Sequence, residues 1–330
     1  MRKAKQPFLL RLTNVSSPAW LVGLLTSTFF FLLQALVFEL EGIQHTFALY
    51  STTAYFTFTT GYLVFIARII NSNHEKGFLK LLSWTQLAED QKNSFLDEFY
   101  EQRLSWKEML IPLAIGSIHA YLAVFRWMLD GDINYPIMYV YRGIQIIIIW
   151  LMIWQSTSTY LRNMTKMNIL SREIEIDILN TDRLMPLTSA GVISILAFIG
   201  AYTLLFIQGL DPTDLSNPAL LPLIPSILWM VITPLKGVRN RIISAKEKEI
   251  ALIEKGIEGD KEALKQSRIG KNLENINVVD LMTYKRLVNS TLEIPVNIPT
   301  ASRFVFYLVI PFLTWVAASV VDKVIDYLIS

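Results

Sequence analysis

The sequence has no cysteine and only three histidines, His45, His74 and His119, among its 330 residues. The absence of cysteine excludes disulfide scaffolds, thiolate zinc sites and catalytic thiols, and any histidine-based metal site would need carboxylate ligands. Charge is also scarce, since 18% of residues are charged and 52% are hydrophobic, whereas soluble domains carry about 25% charged residues. These shortages favour a membrane protein over a soluble domain.

The charged residues avoid seven apolar windows, each long enough to cross a bilayer core of about 30 Å, which takes about 20 helical residues. Together the windows hold 140 residues and only two formally charged side chains, Arg126 and Arg142. The predicted fold class is therefore all-α: a polytopic membrane protein with about seven transmembrane helices and elongated cytoplasmic helical loops. The windows are residues 19–38, 47–67, 109–129, 137–157, 187–207, 218–235 and 304–321.

Lysine and arginine are concentrated in alternate segments between these windows. Segments 1–18, 68–108, 158–186 and 236–303 hold 27 basic residues, whereas 39–46, 130–136, 208–217 and 322–330 hold one, against eight acids. Because basic loops stay on the cytoplasmic side, the N-terminus is predicted to be cytoplasmic and the C-terminus outside. The first window is too long for the apolar region of a cleaved signal peptide. We therefore expect an integral protein of a plasma membrane, most naturally a bacterial inner membrane.

The predicted organisation alternates pairs of transmembrane helices with cytoplasmic segments. A basic N-terminus (1–18) precedes transmembrane helices 1 and 2 (19–67), amphipathic helices (68–108), transmembrane helices 3 and 4 (109–157), a helical linker (158–186), transmembrane helices 5 and 6 (187–235), a charged helical region (236–303), and transmembrane helix 7 with a short outward C-terminus (304–330).

The first two cytoplasmic segments have readable helix patterns. In 68–108, apolar spacing predicts one helix over about 76–88. Ser94 and Asp97 resemble a capping box that opens a second helix, which we expect to continue into the third span. In 158–186, isoleucines alternate with acids over 173–178 as in a strand, yet the length of the segment favours a helix.

The third cytoplasmic segment is the largest and most basic. Its pattern predicts helices over about 239–255, 260–269 and 278–288, with Gly256 and Gly259 separating the first two. An extended linker is predicted over 294–299, because residues before proline avoid the helical region.

Three ionisable side chains within the windows are candidates for function, because such groups are costly inside a bilayer. His119, Arg126 and Arg142 are predicted to form a basic cluster in the outer half of the membrane. One interpretation is structural: Arg126 reaches outward to the interface and Arg142 pairs with an acid. The other is an anion or substrate vestibule with a titratable gate at His119. The candidate counter-charges are Glu39, Glu41, Asp322 and Asp326.

The second window is rich in hydroxyl groups. Thr53, Thr57 and Thr60 share one face of a helix, because they are spaced by four and three residues. Such residues allow close packing and hydrogen bonds between helices, which is the favoured interpretation. They also suit the lining of a polar path.

No motif for nucleotide binding, metalloprotease or serine-hydrolase chemistry is present, so no catalytic, cofactor-binding or metal-binding residue is predicted, and the sequence leans against an enzyme. The first hypothesis is a non-enzymatic membrane protein whose cytoplasmic helices serve signalling, scaffolding or complex assembly. It would bind a cytoplasmic partner or a second copy through 236–290. The alternative is a channel or transporter with a polar path lined by transmembrane helices 2, 3 and 4. Lipid is an expected partner, whereas nucleic acid is not, because the predicted topology already accounts for the basic residues.

Overall fold

The computed structural model describes residues 17–43, 47–101, 106–125, 135–179, 181–203, 223–270 and 277–293. All regular structure in these residues is helical, which confirms the all-α prediction for this part of the chain. The helices are α1 (Ala19–Glu41), α2 (Phe47–Ser83), α3 (Glu89–Tyr100), α4 (Trp106–Ala120), α5 (Pro136–Ser171), α6 (Met185–Thr203), α7 (Leu223–Ile257), α8 (Lys261–Gln266) and α9 (Val278–Ser290). A π-turn (Tyr121–Phe125) extends α4, and a 3-10 turn (Thr181–Leu184) precedes α6.

Four helical segments are long and apolar enough to cross a membrane: Ala19–Glu41, Thr52–Ser83, Trp106–Phe125 and Pro136–Ser171. They overlap the first four predicted windows. The fifth and sixth windows lie partly outside the described residues and the seventh lies wholly outside, so the count of seven stays a prediction. Large apolar side chains are exposed on α1 and α4, as lipid contact requires; they include Leu24, Phe29, Leu32, Ile111 and Ile118.

Three helices are longer than a membrane span. Helices α2, α5 and α7 contain 37, 36 and 35 residues, which is about 50–55 Å at 1.5 Å per residue. Each one joins a predicted span to the neighbouring predicted cytoplasmic helix without a break. The separate helix predicted over about 76–88 is therefore wrong in its bounds, because residues 76–83 are the last two turns of α2.

The largest apolar core lies where these long helices leave their most apolar segments. Phe78 and Leu81 of α2, Met167 of α5 and Ile242 of α7 are fully buried in it. Phe99 of α3 stacks on Phe78 with ring centroids 4.2 Å apart. The core therefore connects the ends of α2 and α5 to the middle of α7.

Helix α3 begins earlier than its predicted capping box. It starts at Glu89, and Ala88 before it is extended, with its N–H donating to Gln91 Oε1 at 3.4 Å. Ser94 therefore lies inside the helix, and the cap predicted there is wrong. The helix ends at Tyr100, and α4 starts separately at Trp106, so α3 does not continue into the third span.

The helix predicted for 158–186 is present over 158–171 as the end of α5, whereas the segment is irregular over 172–179. Ile174 and Ile178 are 1% and 3% exposed, whereas Glu173 and Glu175 face solvent. The alternation of isoleucine and acidic residues in the sequence therefore matches the alternation of buried and exposed side chains, although the segment is not a strand. A short extended segment buries alternate residues without needing a partner strand.

The helices predicted in segment 236–303 are present as the charged end of α7 and as α8 and α9. Gly259 has φ +100°, a conformation that glycine adopts easily, and it ends the turn after α7. Asp260 then caps α8, because its Oδ1 accepts from the N–H groups of Glu262 and Ala263, both at 3.0 Å. The linker predicted over 294–299 lies outside the described residues.

Candidate functional site

Arg142 is buried between α5 and α2. The residue is 7% exposed, its Cζ lies 4.4 Å from the centroid of the Phe56 ring, and its Nη1 donates to the Thr52 carbonyl at 3.5 Å. No carboxylate within the described residues forms an ion pair with it. Because an isolated buried charge is costly, this guanidinium requires a compensating group.

The candidate counter-charge Glu41 is bound elsewhere. Its Oε1 accepts from the Ile137 N–H at 2.5 Å and its Oε2 accepts from the Met138 N–H at 2.9 Å. It therefore caps the first turn of α5, where a negative charge is favourable. Glu39 is exposed at the end of α1. Asp322, Asp326 and Arg126 lie outside the described residues.

Two glutamine amides lie close to the level of Arg142. Gln34 of α1 and Gln145 of α5 are 0% and 1% exposed, and neither amide oxygen nor nitrogen has a hydrogen-bond partner in the described part of the chain. Gln145 follows Arg142 by three residues and so shares its face of α5. Gln34 lies between Glu41, which caps α5, and Phe30, whose carbonyl accepts from Tyr141 at 2.9 Å. We name Gln34, Arg142 and Gln145 the arginine layer.

The three threonines predicted as a polar lining are all buried on α2. Thr57 Oγ1 donates to the Thr53 carbonyl at 2.9 Å, and Thr60 Oγ1 donates to the Phe56 carbonyl at 2.8 Å. Because these hydroxyls donate to carbonyls of their own helix, Thr57 and Thr60 have no hydroxyl hydrogen left to donate to a neighbouring helix or a solute. The geometry at these two residues favours the packing interpretation.

His119 does not join Arg142. It is exposed on α4, and its Nδ1 accepts from Trp150 Nε1 at 2.9 Å. Trp150 follows Arg142 by eight residues on α5, about 12 Å along the axis. The buried residues of α4 are Pro112, Gly116 and Ala120, so α4 adds no buried polar side chain to the path that was predicted to include it. Helix α1 supplies Gln34 instead.

Below the arginine layer, α2 and α5 meet through apolar side chains. Leu63, Ile66 and Ile70 of α2 form one buried cluster with Ile149 and Met152 of α5. These five residues, named the apolar belt, are all at most 9% exposed.

A second buried polar group lies beyond the belt. His74 of α2 is fully buried, with Nε2 3.3 Å from Ser194 Oγ on α6 and its ring 5.6 Å from the Tyr160 ring. His74 Nδ1, Gln155 Nε2 and Thr188 Oγ1 have no hydrogen-bond partner among the residues described. We name His74 and Ser194, which are in contact, the histidine layer.

A network centred on Arg268 joins α7, α9 and the irregular segment after α5. Arg268 Nη1 pairs with Asp177 at 2.7 Å, and its backbone N–H donates to Glu249 Oε1 at 2.7 Å. The Tyr284 hydroxyl donates to the same oxygen at 3.2 Å. Burial, together with the negative charge of Glu249, raises the pKa of Tyr284 to about 12. Tyr284 therefore stays a neutral donor at physiological pH.

Sequence reasoning missed the glutamines because their spacing matches no known motif. One face of α5 could have indicated them, because its side chains are buried along most of the helix. This face carries residues 142, 145, 149, 152, 156 and 163. A polar side chain on such a face within an apolar window is the informative observation. No group of three or more histidine or acidic residues able to hold a metal ion occurs in the described ranges.

Comparison with known proteins found no matching family profile, no matching curated protein and no matching solved structure.

Proposed function

We propose that this protein conducts a small anion across a membrane, through the interface of α1, α2 and α5. The observation that carries the proposal is Arg142, which is buried without a carboxylate partner among the described residues and shares its face of α5 with the unbonded amide of Gln145. Intramembrane arginines commonly mark ion pathways, and rings of basic side chains select anions in pores.

The arrangement of the three layers supports a closed path. The arginine layer and the histidine layer both hold buried polar atoms without protein partners, which water or a solute would satisfy. The apolar belt lies between them along α2 and α5, and Arg68 Nη1 and Trp154 Nε1 are buried polar atoms on the same stretches of these helices. Apolar constrictions of this kind stop conduction because water leaves them. In this proposal the belt is the gate, and the two polar layers are the sites on either side of it.

The proposal is tested by electrical recording of the purified protein in planar bilayers under a chloride gradient. The reversal potential should lie towards the chloride equilibrium potential. Arg142→Gln should move it towards zero, because the fixed positive charge is lost. Ile149→Asn should raise the conductance, because a polar side chain in the belt admits water.

The matched control for the belt variant is Ile144→Asn. Ile144 is on the same helix and is 52% exposed, so the same substitution there leaves the belt apolar and should leave the conductance unchanged. If the wild-type protein and Ile149→Asn both fail to conduct, the proposal is wrong. A cation-selective reversal potential in the wild type would refute the anion class alone.

A second candidate function is complex assembly through 236–290, and one observation favours it. Helix α9 packs Leu281 and Val288 inward, yet Val279, Met282 and Leu287 on its other sides are 69%, 52% and 52% exposed. Apolar side chains exposed together are typical of interaction surfaces. Met282→Lys should then reduce self-association or partner co-purification, whereas Lys248→Glu on the exposed side of α7 should not. Unchanged association in Met282→Lys would contradict this function.

A further inference from the structure

A cavity of about 510 Å³ lies between the end of α5 and the charged part of α7. Its lining carries two arginines and no acid. The lining residues are Asn168, Ser171, Arg172, Gly237, Asn240 and Arg241.

Arg241 is a fixed part of the cavity wall. Its Nη1 donates to the Ser171 carbonyl and, at 3.2 Å, to Ser171 Oγ, and its Nη2 donates to the Ile174 carbonyl at 3.1 Å. The carbonyls at the end of a helix lack helical partners and carry partial negative charge. Arg241 therefore neutralises the end of α5, and the cavity does not present bare carbonyl oxygens to a ligand.

The other polar side chains of the lining are available to a ligand. In the described residues, Arg172, Asn168 and Asn240 form no side-chain hydrogen bond or ion pair. A Cβ atom at Gly237 would lie 3.3 Å from Asn168 Oδ1, so glycine at this position leaves the amide room. Burial, and then the positive charge of nearby Arg172, lower the pKa of Arg241, which indicates that two like charges lie close together. The negative charge of Glu173 acts in the opposite direction on the pKa of Arg241, and Glu173 is exposed and outside the lining.

We propose that this cavity binds a phosphate group, held by the guanidinium of Arg172 and the amides of Asn168 and Asn240. Arginine matches phosphate oxygens through paired N–H donors. The lining offers donors from three side chains and places no carboxylate against the anion. Arg241 supplies a second fixed positive charge behind them.

Two sources of phosphate can reach this position. The sixth predicted window ends at residue 235, and exposed Lys236 follows it directly on α7. The cavity therefore opens near the predicted cytoplasmic surface of the bilayer, where basic pockets bind the headgroups of anionic lipids. A soluble phosphate compound can enter from the same side.

The test measures thermal unfolding of the full-length protein in detergent with inorganic phosphate, with phosphatidylglycerol, or with phosphatidylcholine, at constant ionic strength. Ligand binding raises the unfolding temperature by mass action, and we expect a rise of about 2–4 °C for a well-occupied site. Arg172→Gln and Asn240→Leu should abolish the rise. Both side chains are exposed, so the variants should remain folded. Lys248→Gln, the same charge change at an exposed site on α7, should keep the rise.

The arms of the experiment separate the sources. A rise with inorganic phosphate alone identifies a soluble ligand, and a rise with phosphatidylglycerol but not phosphatidylcholine identifies a lipid headgroup. Stabilisation by neither phosphate nor phosphatidylglycerol overturns the proposal. An equal loss of stabilisation in Lys248→Gln also overturns it, because the stabilisation would then depend on the net charge of the protein and not on the cavity.

Discussion

Gly61 sets the distance between α1 and α2. A Cβ atom at this position would overlap Ser27 Oγ and the Gly23 carbonyl oxygen, and one at Gly23 would lie 2.9 Å from the Gly61 carbonyl oxygen. Gly23 and Ser27 are four residues apart, as are Thr57 and Gly61. Small residues at this spacing let helix backbones approach closely in membranes.

We expect Gly61→Ala to destabilise the protein by about 1–3 kcal/mol, because the added methyl group meets backbone as well as a side chain. Thermal unfolding in detergent measures the loss. The double variant Gly61→Ala/Ser27→Gly should recover part of it, since the nearest clashing atom is removed while the Gly23 carbonyl remains. Wild-type stability in Gly61→Ala would show that the helices separate freely.

Residue-level function was the least predictable part of the molecule. Arg142 was identifiable because it is a formal charge in an apolar window. Gln34 and Gln145 were not, because a neutral amide in such a window has no distinctive spacing and its burial depends on helix rotation. His119 was grouped with Arg142 by its depth, yet depth does not determine the direction in which a side chain faces.

At the scale of single helices, the start of α5 depends on a side chain from another helix. Glu41 at the end of α1 accepts from the N–H groups of Ile137 and Met138. Those groups lack intrahelical partners in any helix. The bond ties the end of α1 to the start of α5, across about 95 residues of sequence.

Glu41→Ala should reduce stability by about 1–2 kcal/mol, as loss of an N-terminal cap does. Glu41→Gln keeps one acceptor and loses the charge, so it should fall between Ala and the wild type. Chemical or thermal unfolding of both variants measures the order. If Gln and Ala are equally destabilising, the charge rather than the hydrogen bond accounts for the contribution.

The sequence predicted the locations of the helices better than the residues at which they begin and end. Apolar periodicity located the segments now seen as α2, α3, α5 and α7. The boundary predicted within α2 was wrong because the chain stays helical from Phe47 to Ser83, and the last turns of this helix pack Phe78 and Leu81 into the core. Ser94 was misread as a cap because capping residues also occur inside helices, where tertiary packing overrides local preference.

For the whole molecule, the segregation of 27 basic residues to alternate segments predicts which loops face the cytoplasm. A reporter that is active only outside the cytoplasm should be active when fused after Ser330 and inactive when fused after Gly256. A reporter active only in the cytoplasm should give the reverse pattern. Activity of the same reporter at both positions would refute a single span between residues 256 and 330.

The all-helical class and the membrane-compatible segments could be predicted from the composition and the apolar windows alone. A segment that crosses a bilayer must be about 20 residues long, nearly free of charge and helical. The irregular segment over 172–179 could not be predicted in this way. Its alternation of isoleucine and acidic residues covers only six positions, and the length of the whole segment favoured a helix. Its shape is set by contacts that are distant in sequence, such as the pair between Asp177 and Arg268.

The unbroken length of α2 makes it a lever. Its outer part touches Arg142 through Phe56 and Thr52, and its far part carries His74 and Phe78 in contacts with α5, α6 and α3. A rigid rod of about 55 Å that tilts by about 5° about its middle moves each end by about 2.4 Å, in opposite directions. A displacement at the core around Phe78 would therefore reach the contacts of Arg142 without any change inside the helix.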